Sequence, residues 1–174
     1  MSLGLHVQYD PDLSVIIDKI KPKIVLYFQP TKIPYLAEVT VGRIFYGNQD
    51  NELVSDPVGF GRKLAKDAIT SAKSNNIPIW VGANEPDVGS NESIARLVAC
   101  EKERVSRLNA EGLKAAVFSW SVGWPREDMT TRKLDLAPYR DFLKRLPEQN
   151  VISLHEYWTP KGPLHPENHD PGYP

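Results

Sequence analysis

An amide, a carboxylate and a proline stand together at Asn84-Glu85-Pro86, directly after the apolar run Ile79-Trp80-Val81-Gly82. Such a run reads as a strand, and a carboxyl group at its C-terminal tip projects into the hollow that the strand ends surround. The apolar strand beneath partly desolvates the carboxyl, which raises its pKa. A carboxyl kept protonated in this way can donate to the leaving oxygen of a bond under cleavage. The adjacent Asn84 amide can hold a hydroxyl of the same substrate. The blander alternative is a loop before a helix, whose glutamate only satisfies backbone donors.

A second cluster, His155-Glu156-Tyr157-Trp158, ends another apolar stretch. Strand alternation puts His155 and Tyr157 on one face and Glu156 and Trp158 on the other. An aromatic ring can stack on the C–H face of a sugar while His, Glu and Tyr bind its hydroxyls. The competing reading is a buried strand end whose polar groups bond neighbouring strands. Arg43 lies inside an apolar strand and needs a partner there. A carboxylate in the same hollow would serve, and so would a structural ion pair. His6 and Gln8 share a face near the end of strand one, Tyr46 ends strand three, and Ser119 and Trp120 end strand five. Each is a candidate substrate contact, and each would serve equally as core or rim. Trp124 in a Gly-Trp-Pro loop either walls a cleft or packs locally. His165 and His169, with Glu167 and Asp170 nearby, have a spacing seen in metal sites, but no first pair of ligands accompanies them. Neither a metal nor a cofactor is therefore expected. No Gly-x-Ser-x-Gly elbow occurs, and Cys100 lacks activating neighbours.

These residues are carried by alternating strand-like and helix-like stretches. Strands are expected over 4–9, 23–28, 39–46, 77–82, 114–120 and 151–158. Helices are expected after Asp10-Pro11, after Asp56-Pro57, from Ser90 or Asn91 up to Gly112, and near Ala137-Pro138. The aspartate-proline pairs supply an N-cap and a first helical residue. Apolar stripes recur at helical spacing: Leu13, Ile16, Ile17 and Ile20; Phe60, Leu64, Ala68 and Ala72; Ile94, Leu97, Val98, Val105 and Leu108. Residues 31–37 are ambiguous, with a short helix broken near Pro34 as one reading. The stretch from Thr159 to Pro174 is proline-rich and without period, and reads as a loop. Six βα repeats with short connections imply an α/β fold with a parallel sheet. A doubly wound open sheet gives the same alternation, but no glycine-rich phosphate loop follows strand one. Polar and aromatic residues gather instead at the C-terminal strand ends, where a (β/α)8 TIM barrel builds its site.

Composition agrees with a single globular domain over 4–174. The chain has 174 residues, with 41% hydrophobic and 25% charged side chains, as in water-soluble folds. Its 21 basic and 22 acidic residues leave a net charge of -1, so nucleic acid and charged membrane surfaces are not expected partners. No apolar run is long enough to span a bilayer, and Met1-Ser2-Leu3 has no features of a signal peptide. Residues 1–3 read as an added or unstructured tail. One cysteine excludes an internal disulfide. Cytoplasm is compatible with this usage, and the compartment is otherwise open.

With Asn84-Glu85-Pro86 at the end of strand four, the chain resembles clan A of the glycoside hydrolases. The resemblance extends to Val41-Gly42-Arg43, to Gly112-Leu113-Lys114-Ala115 before strand five, and to Leu154-His155-Glu156-Tyr157-Trp158. Together these look like a group of bacterial and phage glycosidase-like barrels. The resemblance implies that Glu85 is the acid/base, that Asn84 orients substrate, and that the partner is an oligo- or polysaccharide. A retaining glycosidase needs a second carboxylate about 5–5.5 Å from the first. In that clan it ends strand seven, and the sequence matches the clan only through strand six. The expectation is an incomplete barrel of about six βα units whose nucleophile lies beyond residue 174. Glu156 is a weaker substitute, nearer the inverting separation of about 6.5–9.5 Å. Without the nucleophile the domain would bind carbohydrate without turnover, or serve a structural role. Six strands would also leave two open sheet edges, through which copies could associate.

Overall fold

The computed structural model describes residues 4–7, 19–31, 33, 35–120 and 134–154. Among the described residues there are six strands: β1 (Gly4–Val7), β2 (Ile24–Phe28), β3 (Val39–Arg43), β4 (Ile79–Val81), β5 (Lys114–Trp120) and β6 (Val151–Leu154). Four helices accompany them: α1 (Gln49–Ser55), α2 (Pro57–Asn75), α3 (Asn91–Ala110) and α4 (Ala137–Lys144). Lys19 and Ile20 are also helical. The rest of the helix expected after Asp10 lies outside the described residues, as do His155, Glu156, Tyr157 and Trp158.

The helix ends follow from local chemistry. Asp56 accepts from the Gly59 N–H at 2.8 Å, and Pro57 takes the first helical position of α2. At the other end Asn76 turns left-handed at φ 56°. Ser90 and Ser93 form a reciprocal capping box at the start of α3. Gly112 follows its end at φ +72°, a conformation that suits a residue without Cβ. Helix α1 has no counterpart in the sequence expectations. It is short, and Leu53 is its one buried residue, so no apolar period marks it. Asp50 and Glu52 in its first turn complement the helix dipole. The stretch 31–37 takes no regular structure at its described residues. Thr40 instead ties it down, accepting from Ala37 N–H at 2.9 Å and donating to Ala37 C=O at 3.2 Å.

All six strands are parallel and lie in the order β1-β2-β3-β4-β5-β6. Each strand therefore sits beside its predecessor, and no reversal of strand order creates the crevice of a doubly wound sheet. Among the described strands, β1 and β6 each have a neighbour on one side only. The two faces differ in what covers them. Trp80, Ala115 and Val117 pack with α2, α3 and α4 side chains, including Phe60, Leu64, Leu97, Leu108 and Phe142. Ile79, Val81 and Ala116 form a separate cluster with Leu26 and Val41, all from strands. Strand alternation explains this division, since neighbouring residues project to opposite faces.

β3 ends at Arg43, three residues before the expected Tyr46. The cause is a change of direction at Ile44-Phe45-Tyr46, which carries Tyr46 onto α2. There its ring meets Phe60 edge-on at 5.6 Å, and its hydroxyl donates to Asp67 Oδ2 at 2.7 Å. Within β3, Gly42 accommodates the Trp80 ring: a Cβ at that position would stand 2.6 Å from the indole. The indole cannot swing away, because it is fully buried and its N–H donates to Ile77 C=O at 2.9 Å.

Two outcomes follow from this packing. Gly42→Ala should destabilise the protein by about 1–3 kcal/mol in urea unfolding, because the added methyl overpacks a locked ring. The Tyr46 phenol is held above its ordinary pKa of 10.0, by burial first and by Asp67 second. Because the folded value exceeds the unfolded one, stability present below pH 10.0 is lost as pH rises beyond it. Tyr46→Phe should therefore flatten the alkaline fall in stability, measured by chemical unfolding as a function of pH. It should not abolish that fall, because burial also raises Tyr27, Tyr139 and Cys100.

Candidate functional site

The C-terminal tip of β4 carries Gly82, Ala83, Asn84 and Glu85 out of the sheet. Two side chains of α3 control how it leaves. Glu101 and Arg104, one helical turn apart, both face the sheet and are at most 1% exposed. Arg104 Nη2 and Nε contact Glu101 Oε2 at 2.6 and 3.0 Å. The same guanidinium donates to the carbonyls of Trp80 at 2.9 Å and Ala116 at 2.8 Å. It thus bridges β4 and β5 from the helix side. A guanidinium fork is suited to this, since its donors lie in fixed directions and hold several acceptors at once. Burial raises the Glu101 pKa, while Arg104 and the Phe118 N–H act in the opposite direction. Gly82 lies against this pair. A Cβ there would come 2.7 Å from Glu101 Oε1 and 2.8 Å from Arg104 Nε, so the strand can approach α3 this closely only with glycine at that point.

Beyond Gly82 the backbone is pinned on two sides. Gln49, the first residue of α1, accepts from the Asn84 N–H at 2.9 Å and donates to the Asn84 carbonyl. On the β5 side the Glu85 N–H donates to Ser119 C=O at 3.0 Å. Glu85 itself is half-buried and adopts φ 44°. Across from it, Phe118 and Ser119 have φ 77° and 35°, and the β5–β6 register shifts between Val117 and Trp120. A left-handed conformation costs a residue with a Cβ about 1–3 kcal/mol, and such strain collects at functional sites. Three strained residues at two adjacent strand tips make this end of the sheet the strongest site candidate among the described residues.

Arg43 belongs to the same end. It is 8% exposed, alternates with Val41 and so shares the strand-only face. Its guanidinium lies over the Phe28 ring, 5.2 Å from the centroid, at the neighbouring position in register. Such a cation–π contact contributes about 0.5–2 kcal/mol according to its desolvation. Continuing the β3–β4 pairing by one step puts Arg43 level with Val81, below the Asn84-Glu85 turn. Asn84 Oδ1 and Ser119 Oγ are buried at these tips and make no hydrogen bond among the described residues. Each such atom costs free energy unless a further group meets it.

The other candidates divide between packing and the undescribed residues. Trp120 stacks on Phe118 with centroids 4.9 Å apart and planes 6° from parallel, and its ring also lies 4.9 Å from Tyr139. It packs among the helix-side core residues. Tyr46 is likewise occupied by Phe60 and Asp67. These two aromatics are thus turned toward helices, away from the face that carries Arg43. The backbone of His6 lies in β1, paired with Leu26, and Gln8 lies outside the described residues. Cys100 is fully buried, and burial pushes its thiol pKa up, which leaves it protonated and unreactive. Among the described residues no group of His, Cys, Asp and Glu has the arrangement of a metal site, and no helix is long and apolar enough to cross a membrane. His165 and His169 lie outside that set.

Sequence reasoning missed Gln49, Glu101 and Arg104. For the last two a signal existed, since Glu101 falls on the apolar stripe four residues after Leu97 and seven after Ile94. A carboxylate in that stripe calls for a buried cation, and Arg104 is one turn away. Arg104→Met should cost about 3–5 kcal/mol in chemical unfolding, because it leaves Glu101 buried without its cation. Adding Glu101→Gln to that variant should recover part of the loss, a coupling of about 1–3 kcal/mol in a double-mutant cycle.

Comparison of the chain with known protein families, with curated proteins and with solved structures finds no match to any of them.

Proposed function

We propose that this chain forms a glycosidase-like part of a (β/α)8 barrel, acting on an oligo- or polysaccharide, with Glu85 as the general acid/base. One observation carries the reading. Glu85 sits just past the tip of the fourth strand in a parallel sheet whose strands follow chain order, with its peptide N–H fixed by the neighbouring strand. A barrel is built from strands in that order and gathers its reacting groups at their C-terminal ends. Support also comes from the company Glu85 keeps. Asn84 precedes it, and Arg43 lies on the strand-only face one strand away.

In this reading Glu85 protonates the leaving oxygen and afterwards takes a proton from the attacking water. Asn84 holds a sugar hydroxyl, and Arg43 sets the charge of the hollow. His6, Gln8 and the His155-Glu156-Tyr157-Trp158 run supply further substrate contacts. In this reading the second carboxylate of a retaining mechanism comes from outside the described residues. Binding of carbohydrate without turnover is the second reading.

The test is a panel of 4-nitrophenyl glycosides and their parent oligosaccharides, assayed for turnover and by calorimetry with wild type and Glu85→Gln. In protein that includes the second carboxylate, the proposal expects turnover that falls by about 100- to 10,000-fold in the variant while binding persists. Binding with equally negligible turnover in both proteins would establish the second reading. Absence of both heat and turnover across the panel would refute the carbohydrate assignment, and equal turnover in both would refute the role of Glu85.

A further inference from the structure

Gln49 meets both main-chain polar groups of Asn84, one in each of two successive peptide units. Its Oε1 accepts from the Asn84 N–H at 2.9 Å, and its Nε2 donates to the Asn84 carbonyl. A carboxamide is the side-chain equivalent of a peptide group, so this is the two-point pairing that a neighbouring strand would offer. No strand can offer it here, because β3 leaves the sheet after Arg43 and the chain has turned away to α1. The Gln49 side chain reaches back across that gap from a position 35 residues earlier in the sequence. The opposite flank of the turn is held by Ser119 C=O, which accepts from the Glu85 N–H at 3.0 Å. The Asn84–Glu85 peptide group is thus held by one bond from each side, its carbonyl by Gln49 and its N–H by Ser119, with Glu85 at φ 44°, a conformation costly for a residue with a Cβ.

We propose that Gln49 is a positioning residue for Glu85: its carboxamide replaces the missing strand and sets the direction of the Glu85 carboxyl. The proposal rests on the reading of Glu85 as the acid/base, but its physical content can be measured separately. Gln49→Met keeps the length and helix preference of the side chain and removes both hydrogen bonds. Gln49→Glu keeps the acceptor for the Asn84 N–H and sets a second oxygen against the Asn84 carbonyl.

The experiment uses the whole chain. NMR follows the titration of the Glu85 carboxyl carbon and the amide exchange of Asn84 and Glu85, and turnover is measured on 4-nitrophenyl glycosides. Expected in Gln49→Met are exchange at Asn84 about tenfold faster and a displaced Glu85 titration midpoint. Turnover should show kcat reduced about 10- to 100-fold and KM changed by less than about twofold, the signature of a misdirected group. Gln49→Glu should move the Glu85 midpoint as well, and it stands in if the methionine variant does not fold. Faster exchange with an unmoved Glu85 midpoint would reduce Gln49 to a structural clamp and overturn the proposal. Unchanged exchange would overturn it too. If the wild-type chain hydrolyses no glycoside for want of the second carboxylate, the titration and amide exchange alone decide the role of Gln49.

Discussion

The buried pair Glu101–Arg104 is the constraint on which this end of the molecule depends. It fastens α3 to two strands at once through the carbonyls of Trp80 and Ala116. Desolvating two charges is expensive, and an apolar pair of similar volume often serves stability as well or better. What the ions supply here is direction. A guanidinium donating to one carbonyl in β4 and one in β5 fixes the relative height of those strands. Their tips carry Asn84-Glu85 and Ser119-Trp120. The cost extends into the sequence, since only a glycine at position 82 lets the strand pass so close to the charges.

From that anchor the geometry of the turn follows in steps. β4 leaves the sheet at Gly82, Gln49 takes the N–H and carbonyl of Asn84, and Ser119 takes the N–H of Glu85. β5 meets this demand by bending: Phe118 and Ser119 are both left-handed and the register with β6 slips. The bend also brings Phe118 to the helix side beside Val117, where its ring stacks on Trp120 and meets Tyr139 and Phe142 of α4 edge-on. At this strand tip Phe118 and Trp120 are backed by the aromatic side chains of α4, opposite the strained turn that carries Glu85. The strain at Glu85 and the buried polar atoms of Asn84 and Ser119 lower stability, and such features collect at functional sites.

How much of this could be read from the sequence varies with the kind of interaction. Helices α2 and α3 were legible because both a cap and an apolar stripe mark them, as at Asp56-Pro57 and Ser90 to Leu108. The strands were legible as β-branched runs, and β5 matches its expected bounds. The end of β3 was not, because Ile44-Phe45-Tyr46 has the composition of a strand and is diverted by packing on Phe60 and Asp67. Helix α1 was illegible because it buries too little to leave a period. For the site, Glu85 and Asn84 were visible as a polar pair at a strand tip, and Arg43 as a charge among apolar neighbours. Tyr46 and Trp120 looked equally suited to a cleft, and their direction was set by turns and a bulge that composition does not record. Gln49 carries no local signal at all, since its partner is distant in sequence and the bond is to backbone.

The account as a whole stands on the β4 tip being where a saccharide is held. Labelling the protein with carbon-13 at its Glu, Asn and Arg side chains and titrating a mixed-linkage oligosaccharide panel addresses this directly by NMR. The Glu85 carboxyl and Asn84 amide resonances should shift in a saturable way together with the Arg43 guanidinium, while Glu103 and Asn109 of α3 stay still. Saturable shifts confined to residues away from the β4 tip, with Glu85 and Asn84 unmoved, would contradict it.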